Sequence, residues 1–112
     1  MKILVCDRLE HKVLDKFKEL GEITNISEST TKTEDLISNI VDTEIVVIRS
    51  GTKINKDILE NANNLKIIAR CGVGVDNVDI EEATNKKIYV TNSPNANIIS
   101  VAELTIGLII SA

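Results

Sequence analysis

The chain has 112 residues, 43% of them apolar and 27% charged, with 13 basic and 17 acidic side chains and a net charge of −4. This is enough for one compact domain with its own core, and the acidic balance argues against nucleic acid as the main partner. Phe17 and Tyr89 are the only aromatics, and Cys6, Cys71 and the single His11 form no ligand pattern, so base-stacking platforms and structural metal sites are discounted.

The opening run, residues 2–6 (KILVC), meets charge at once and reads as a strand rather than a leader. Two free thiols and no apolar run near the roughly 20 residues of a membrane span predict a cytoplasmic protein with no membrane partner. Residues 9–20 place Leu9, Val13, Leu14, Phe17 and Leu20 on one helical face, with Gly21 as a stop. A second strand is expected over 22–26. The helix that follows opens with Thr31 and Glu34 at capping-box spacing. Residues 44–48 (EIVVI) form a third strand, 55–62 a short helix with Ile58 and Leu59 inward, and 65–69 (LKIIA) a fourth strand. Asp79 and Glu82 cap a helix that runs through Asn85, and residues 87–91 (KIYVT) form the fifth strand.

Most of these strands are continuous Ile- and Val-rich runs, which suits strands buried on both faces. Strand and helix alternate throughout, so the fold class is α/β: a doubly wound parallel sheet with helices on both sides. Five strands in this pattern predict the flavodoxin-like order 2-1-3-4-5. Its winding reverses between strands 1 and 3, and ligands gather at the carboxyl ends of strands near that reversal.

The ten lysines are scattered, but Arg8, Arg49 and Arg70 each follow an apolar strand: the first, third and fourth. Neighbouring strands lie about 4.8 Å apart, so Arg49 and Arg70 are within reach of one anion, and arginine grips carboxylates and phosphates through paired hydrogen bonds. Arg8 is read as the opening of the first helix. Ser50, Gly51 and Thr52 follow Arg49, and Gly72, Val73 and Gly74 follow Arg70 and Cys71. Small residues leave room for a ligand and expose N–H groups that form an anion-binding concavity. The same loop also reads as a plain strand-to-helix turn. It is a poor dinucleotide fingerprint, because Asn77 stands where a third glycine is required and no acidic residue ends a strand near position 95.

Residues 93–97 (SPNAN) form a stiff polar turn on the same rim, with Asn97 facing a ligand or holding its own backbone. Ser100 and Glu103 form another capping box. The helix they open is apolar nearly all round and reaches Ala112 without a stop signal. We therefore expect the chain to be truncated inside a helix that enters another domain, the isolated piece self-associating through residues 101–112; the other reading is a terminal helix that docks on its own sheet or dimerises.

Three stretches, IRSGTKI, LKIIARCGVGVDNVDIEEAT and VTNSPNANIISVAELTIGLI, together resemble the substrate lobe of the D-2-hydroxyacid dehydrogenase family, in particular its phosphoglycerate-oxidising branch. The resemblance is strong from about residue 44 onward. It implies a flavodoxin-like substrate-binding domain over 1–98 and the start of an interdomain helix over 99–112. An NAD-binding Rossmann domain would lie outside this chain. It further implies that Arg49, Ser50, Arg70, Gly72, Val73, Gly74 and Asn97 face the substrate, with Val73 also near the nicotinamide. Gly51 and Cys71 stand where relatives often have alanine. The implied cofactor is NAD. The implied ligand is a small anionic 2-hydroxy acid, 3-phosphoglycerate, whose C2 hydride passes to NAD while a histidine takes the hydroxyl proton.

The family's catalytic arginine, acid and histidine have no counterparts here, and His11 is on the wrong helix for that role. The chain is thus expected to bind and orient substrate and to be inactive alone. The other reading is a stand-alone, non-catalytic module for a small anion or a protein. A phosphoacceptor receiver is disfavoured because the first strand offers only Asp7 and the third ends in Arg49 rather than an acid. A flavodoxin is disfavoured because CDRLEHK offers no hydroxyl-rich phosphate loop.

Overall fold

A computed structural model of the protein describes residues 1–71 and 76–92. Its strands are β1 (Lys2–Val5), β2 (Glu22–Asn25), β3 (Ile45–Ile48), β4 (Ile67–Arg70) and β5 (Tyr89–Asn92). The helices between them are α1 (His11–Lys18), α2 (Lys32–Ile40), α3 (Lys56–Glu60) and α4 (Ile80–Asn85). The sheet order is β2-β1-β3-β4-β5 with every pair parallel, the flavodoxin-like order expected from the sequence.

The apolar runs explain the layering. β3 and β4 are buried along their whole length, and β1 at all but its first residue. On one face, Leu4, Val46, Ile48 and Ile68 pack against Leu36 and Ile40 of α2, Ile58 and Leu59 of α3, and Ala83 of α4. On the other, Ile3, Val5, Ile45, Val47 and Ile67 pack against Val13 and Phe17 of α1. Each such aliphatic side chain contributes about 1.5–3 kcal/mol through burial. The edge strands β2 and β5 are largely exposed and carry polar residues such as Glu22, Asn25 and Asn92.

Boundaries moved where turn chemistry intervened. Helix α1 covers only His11–Lys18; Leu9 and Leu20 pack from outside it. The third strand begins one residue later than expected. The fourth starts two residues late and includes Arg70, which thus lies inside the ladder rather than beyond it. The fifth starts late because Lys87 takes a left-handed φ of 61° to end α4, with Ile88 N–H donating to Ala83 O. The capping box expected at Thr31 is not formed. Thr31 makes no side-chain cap bond, and the Asp35 carboxylate accepts instead from the Ser29 and Thr31 hydroxyls. The Asp79 cap does form, accepting from Glu82 N–H at 3.0 Å, and Asn55 caps α3 by accepting from Ile58 N–H at 3.0 Å.

Gly21 ends the α1 connection for a steric reason. A Cβ there would lie 2.2 Å from the Met1 carbonyl oxygen, which accepts from Glu22 N–H as the first rung between β1 and β2. Gly21→Ala should therefore destabilise the domain by about 1–3 kcal/mol, the usual cost of overpacking. A thermal melt unchanged by the substitution would contradict this account.

Candidate functional site

In a parallel sheet all strands end on one rim, so Asp7 after β1, Arg49 after β3 and Arg70 at the end of β4 share the carboxyl edge. Asp7 and Arg49 flank the winding reversal between β1 and β3, where open α/β sheets bind ligands. Asp7 is 6% exposed and accepts three hydrogen bonds. Arg49 N–H donates to its Oδ2 at 2.6 Å, and the Thr52 hydroxyl and Lys32 Nζ each donate to its Oδ1 at 2.9 Å. Burial pushes this carboxyl upward and is the largest single influence. The bonds from Lys32, Arg49 and Thr52 together outweigh it, so the pKa falls below the ordinary 3.8. Gly51 lets the loop close over the acid, since a Cβ there would sit 2.8 Å from Asp7 Oδ1.

Arg49 and Ser50 are exposed, and Arg49 Nη1 reaches the Arg8 carbonyl at 3.4 Å. Arg70 is only 7% exposed, and its Nε donates to Asn77 Oδ1 at 2.7 Å. Arg70 pairs with Ile48 in register, so Arg49 lies one residue further along the neighbouring strand. The two arginines are thus neighbours at one edge, Arg70 inside the ladder and Arg49 just past the end of β3. Both guanidiniums draw the Cys71 thiol pKa down, but burial dominates and lifts it to about 11. Burial likewise lifts Cys6 to about 12, with Asp7 adding to it. Thiolate is the reactive form, so both cysteines should resist a thiol reagent at pH 7.5 until the protein unfolds. Rapid labelling of either in the native state would show that the rim opens.

Gly72, Val73, Gly74 and Asn97, together with residues 99–112, lie outside the described residues. Asp7, Lys32, Thr52 and Asn77 were not named as site residues from the sequence, and they are what hold the rim together. A signal was available for each of two of them: Asp7 closely follows a buried strand at the winding reversal, and Asn77 occupies the third-glycine position.

Two clefts of about 380 Å³ open at this end of the sheet. One is lined by Arg8, His11, Asn25 and Ser27 among others, and its Arg8 is matched by Glu28 at 3.3 Å. The other adjoins the Arg49 loop and is lined by Lys32, Gly51, Thr52 and Lys53 with the start of α3. Among the described residues, no group of His, Cys, Asp and Glu is arranged to hold a metal, and no helix is long and apolar enough to cross a membrane.

The family model described as D-isomer specific 2-hydroxyacid dehydrogenase, catalytic domain, matches residues 3–107. The chain is 48% identical over its whole length to a D-3-phosphoglycerate dehydrogenase of Methanocaldococcus jannaschii, and covers 21% of that protein. It is 40% identical, over 98% of its length, to a hydroxypyruvate reductase of Thermotoga maritima, and covers 36% of it. The solved 3-phosphoglycerate dehydrogenase of Entamoeba histolytica with bound NAD+ superposes with a TM-score of 0.74 at 36% identity, over 97% of this chain and 38% of that one. The chain therefore spans about a fifth of the curated phosphoglycerate dehydrogenases it matches. With a family model that covers nearly all its residues and relatives of this identity, the chain belongs to the D-isomer-specific 2-hydroxyacid dehydrogenase family.

Proposed function

We propose that this domain is the substrate-binding lobe of an NAD-dependent D-3-phosphoglycerate dehydrogenase, which oxidises 3-phosphoglycerate to 3-phosphohydroxypyruvate on a route to serine. Residues 1–98 form the lobe, and 99–112 begin the helix leading to a nucleotide-binding domain. The substrate meets Arg49, Ser50, Arg70, the Gly72-Val73-Gly74 loop and Asn97, with Val73 also beside the nicotinamide. The chain supplies binding and orientation, and alone it should turn over nothing. The observation that carries the reading is the pair Arg49, just past β3, and Arg70, at the end of the adjacent β4, on the carboxyl edge of the sheet, in a chain 48% identical to a protein of that name.

NAD accepts the hydride in such an enzyme. The described residues do not fit its dinucleotide. The end of β1 holds the buried Asp7 carboxylate, which would repel a pyrophosphate, and the third-glycine position carries Asn77 with its amide fully engaged. The cofactor is thus assigned mainly to the other domain.

The similarity to a hydroxypyruvate reductase favours one second reading, in which the same lobe takes an unphosphorylated substrate. Steady-state assays on the complete enzyme separate the two. The proposal expects kcat/KM for 3-phosphoglycerate with NAD to exceed that for glycerate by about 100-fold or more, because a doubly charged partner forms further charge-assisted bonds. Equal values, or a preference for glycerate, would favour the second reading. No turnover of either would favour a non-catalytic module.

A further inference from the structure

Asn77 lies in the stretch DNVD, three residues past Gly74 in sequence, and uses every hydrogen-bonding atom of its side chain. Its Oδ1 accepts from Arg70 Nε at 2.7 Å, while its Nδ2 donates to the Arg49 carbonyl at 2.7 Å and the Thr52 carbonyl at 2.6 Å. The amide orientation follows from chemistry alone, because the guanidinium Nε can only donate and the two carbonyls can only accept. Its backbone is tied as well: the Asn77 carbonyl accepts from Ile54 N–H at 2.8 Å, and Asp79 N–H donates to Ile54 O at 2.9 Å. Ile54 and Val78 thereby form a short parallel bridge.

From this we infer that Asn77 is a positioning residue, a brace that sets the Arg70 guanidinium and the Arg49 loop in fixed relation, so that the affinity of the arginine pair for one anion depends on it. The inference rests on the proposed role of the two arginines in substrate binding. Two donors on separate strands bind one ligand tightly only if their separation is set before the ligand arrives; otherwise binding must supply the ordering. Asp7 holds the same loop through Arg49 N–H and the Thr52 hydroxyl. The loop is thus pinned at both ends, and only the Asn77 side also reaches the second arginine. No other natural side chain of this size offers one acceptor and two donors in one plane. Aspartate keeps the bond to Arg70 but turns a carboxylate oxygen on two carbonyls.

The test uses Asn77→Ala and Asn77→Asp in the complete enzyme, with kinetics, melting temperature and amide hydrogen exchange read together. The expected result is a KM for 3-phosphoglycerate raised about ten-fold or more in both variants, with KM for NAD changed less than two-fold, and faster exchange at residues 50–52. In an Arg70→Lys background, which already lacks the Nε bond, Asn77→Ala should add less than about three-fold. A lowered melting temperature with KM for 3-phosphoglycerate unchanged, or both KM values rising together, would overturn the inference. So would exchange at 50–52 equal to wild type. If the wild-type enzyme fails to oxidise 3-phosphoglycerate, the functional reading falls, and exchange still decides whether Asn77 braces the loop. Should Asn77→Ala not fold, Asn77→Asp carries the same readouts.

Discussion

Replacing Arg70 by alanine in the complete enzyme is expected to raise KM for 3-phosphoglycerate by roughly 30- to 1,000-fold. The size follows from the setting. Arg70 is buried, held at Nε by Asn77 and level with the end of a wholly buried strand. Truncating one partner of a desolvated, hydrogen-bonded charge pair costs about 2–4 kcal/mol, and each 1.4 kcal/mol is ten-fold. Arg49 is exposed, so its charge is better screened and Arg49→Ala should cost less, about ten-fold. Arg70→Lys keeps the charge but loses the planar fork, and should fall between wild type and alanine. If neither alanine variant alters KM, no anion is gripped there. Because Arg70 also anchors Asn77, the melting temperature must be read beside KM to separate lost binding from a disturbed loop.

The second large effect concerns stability. Asp7→Ala removes the acceptor for three donors from α2, the end of β3 and the following loop, and leaves the part-buried Lys32 without its carboxylate. Breaking a buried ion pair from one side costs about 3–5 kcal/mol, a large share of the roughly 5–15 kcal/mol of a typical domain. The sign of the pH dependence follows from the lowered pKa of Asp7. The unfolded chain binds the proton more readily, so the stabilisation is fully present above the ordinary 3.8 and is lost as pH falls through the lower folded value. Wild type should therefore lose stability in acid more steeply than Asp7→Asn, with the two curves converging below the folded pKa. Parallel curves from pH 7 down to pH 2 would show that Asp7 titrates alike in both states.

The topology was legible because a single signal, short apolar runs alternating with amphipathic segments, recurs along the whole chain. Residues 45–48 and 67–70 are buried along their length, and only covered parallel strands allow that. Strand ends were less legible because they depend on one backbone angle, as at Lys87, or on a ladder bond such as Cys71 N–H to Ile48 O. Arg49 and Arg70 could be placed on one rim because strand order alone does so. Which face each side chain takes depends on register, and register is not written in the arginines themselves. Asp7 and Asn77 were not picked as site residues for a different reason. Asp7 meets Thr52 and Lys32 from 45 and 25 residues away, and local patterns carry no record of such partners. A lone acid after the first strand reads only as an incomplete receiver cluster, and Asn77 only as a missing third glycine. The Thr31 capping box shows the converse error, a correct local motif displaced by Asp35, which offered the hydroxyls a charged acceptor.

The central claim is that Arg49, just past β3, and Arg70, at the end of β4, hold one doubly anionic substrate at the carboxyl edge. Its most direct test is a crystal structure of the complete enzyme with 3-phosphoglycerate. The account predicts guanidinium nitrogens of both Arg49 and Arg70 within about 3.2 Å of ligand oxygens. A ligand bound elsewhere, with neither arginine touching it, would contradict the claim.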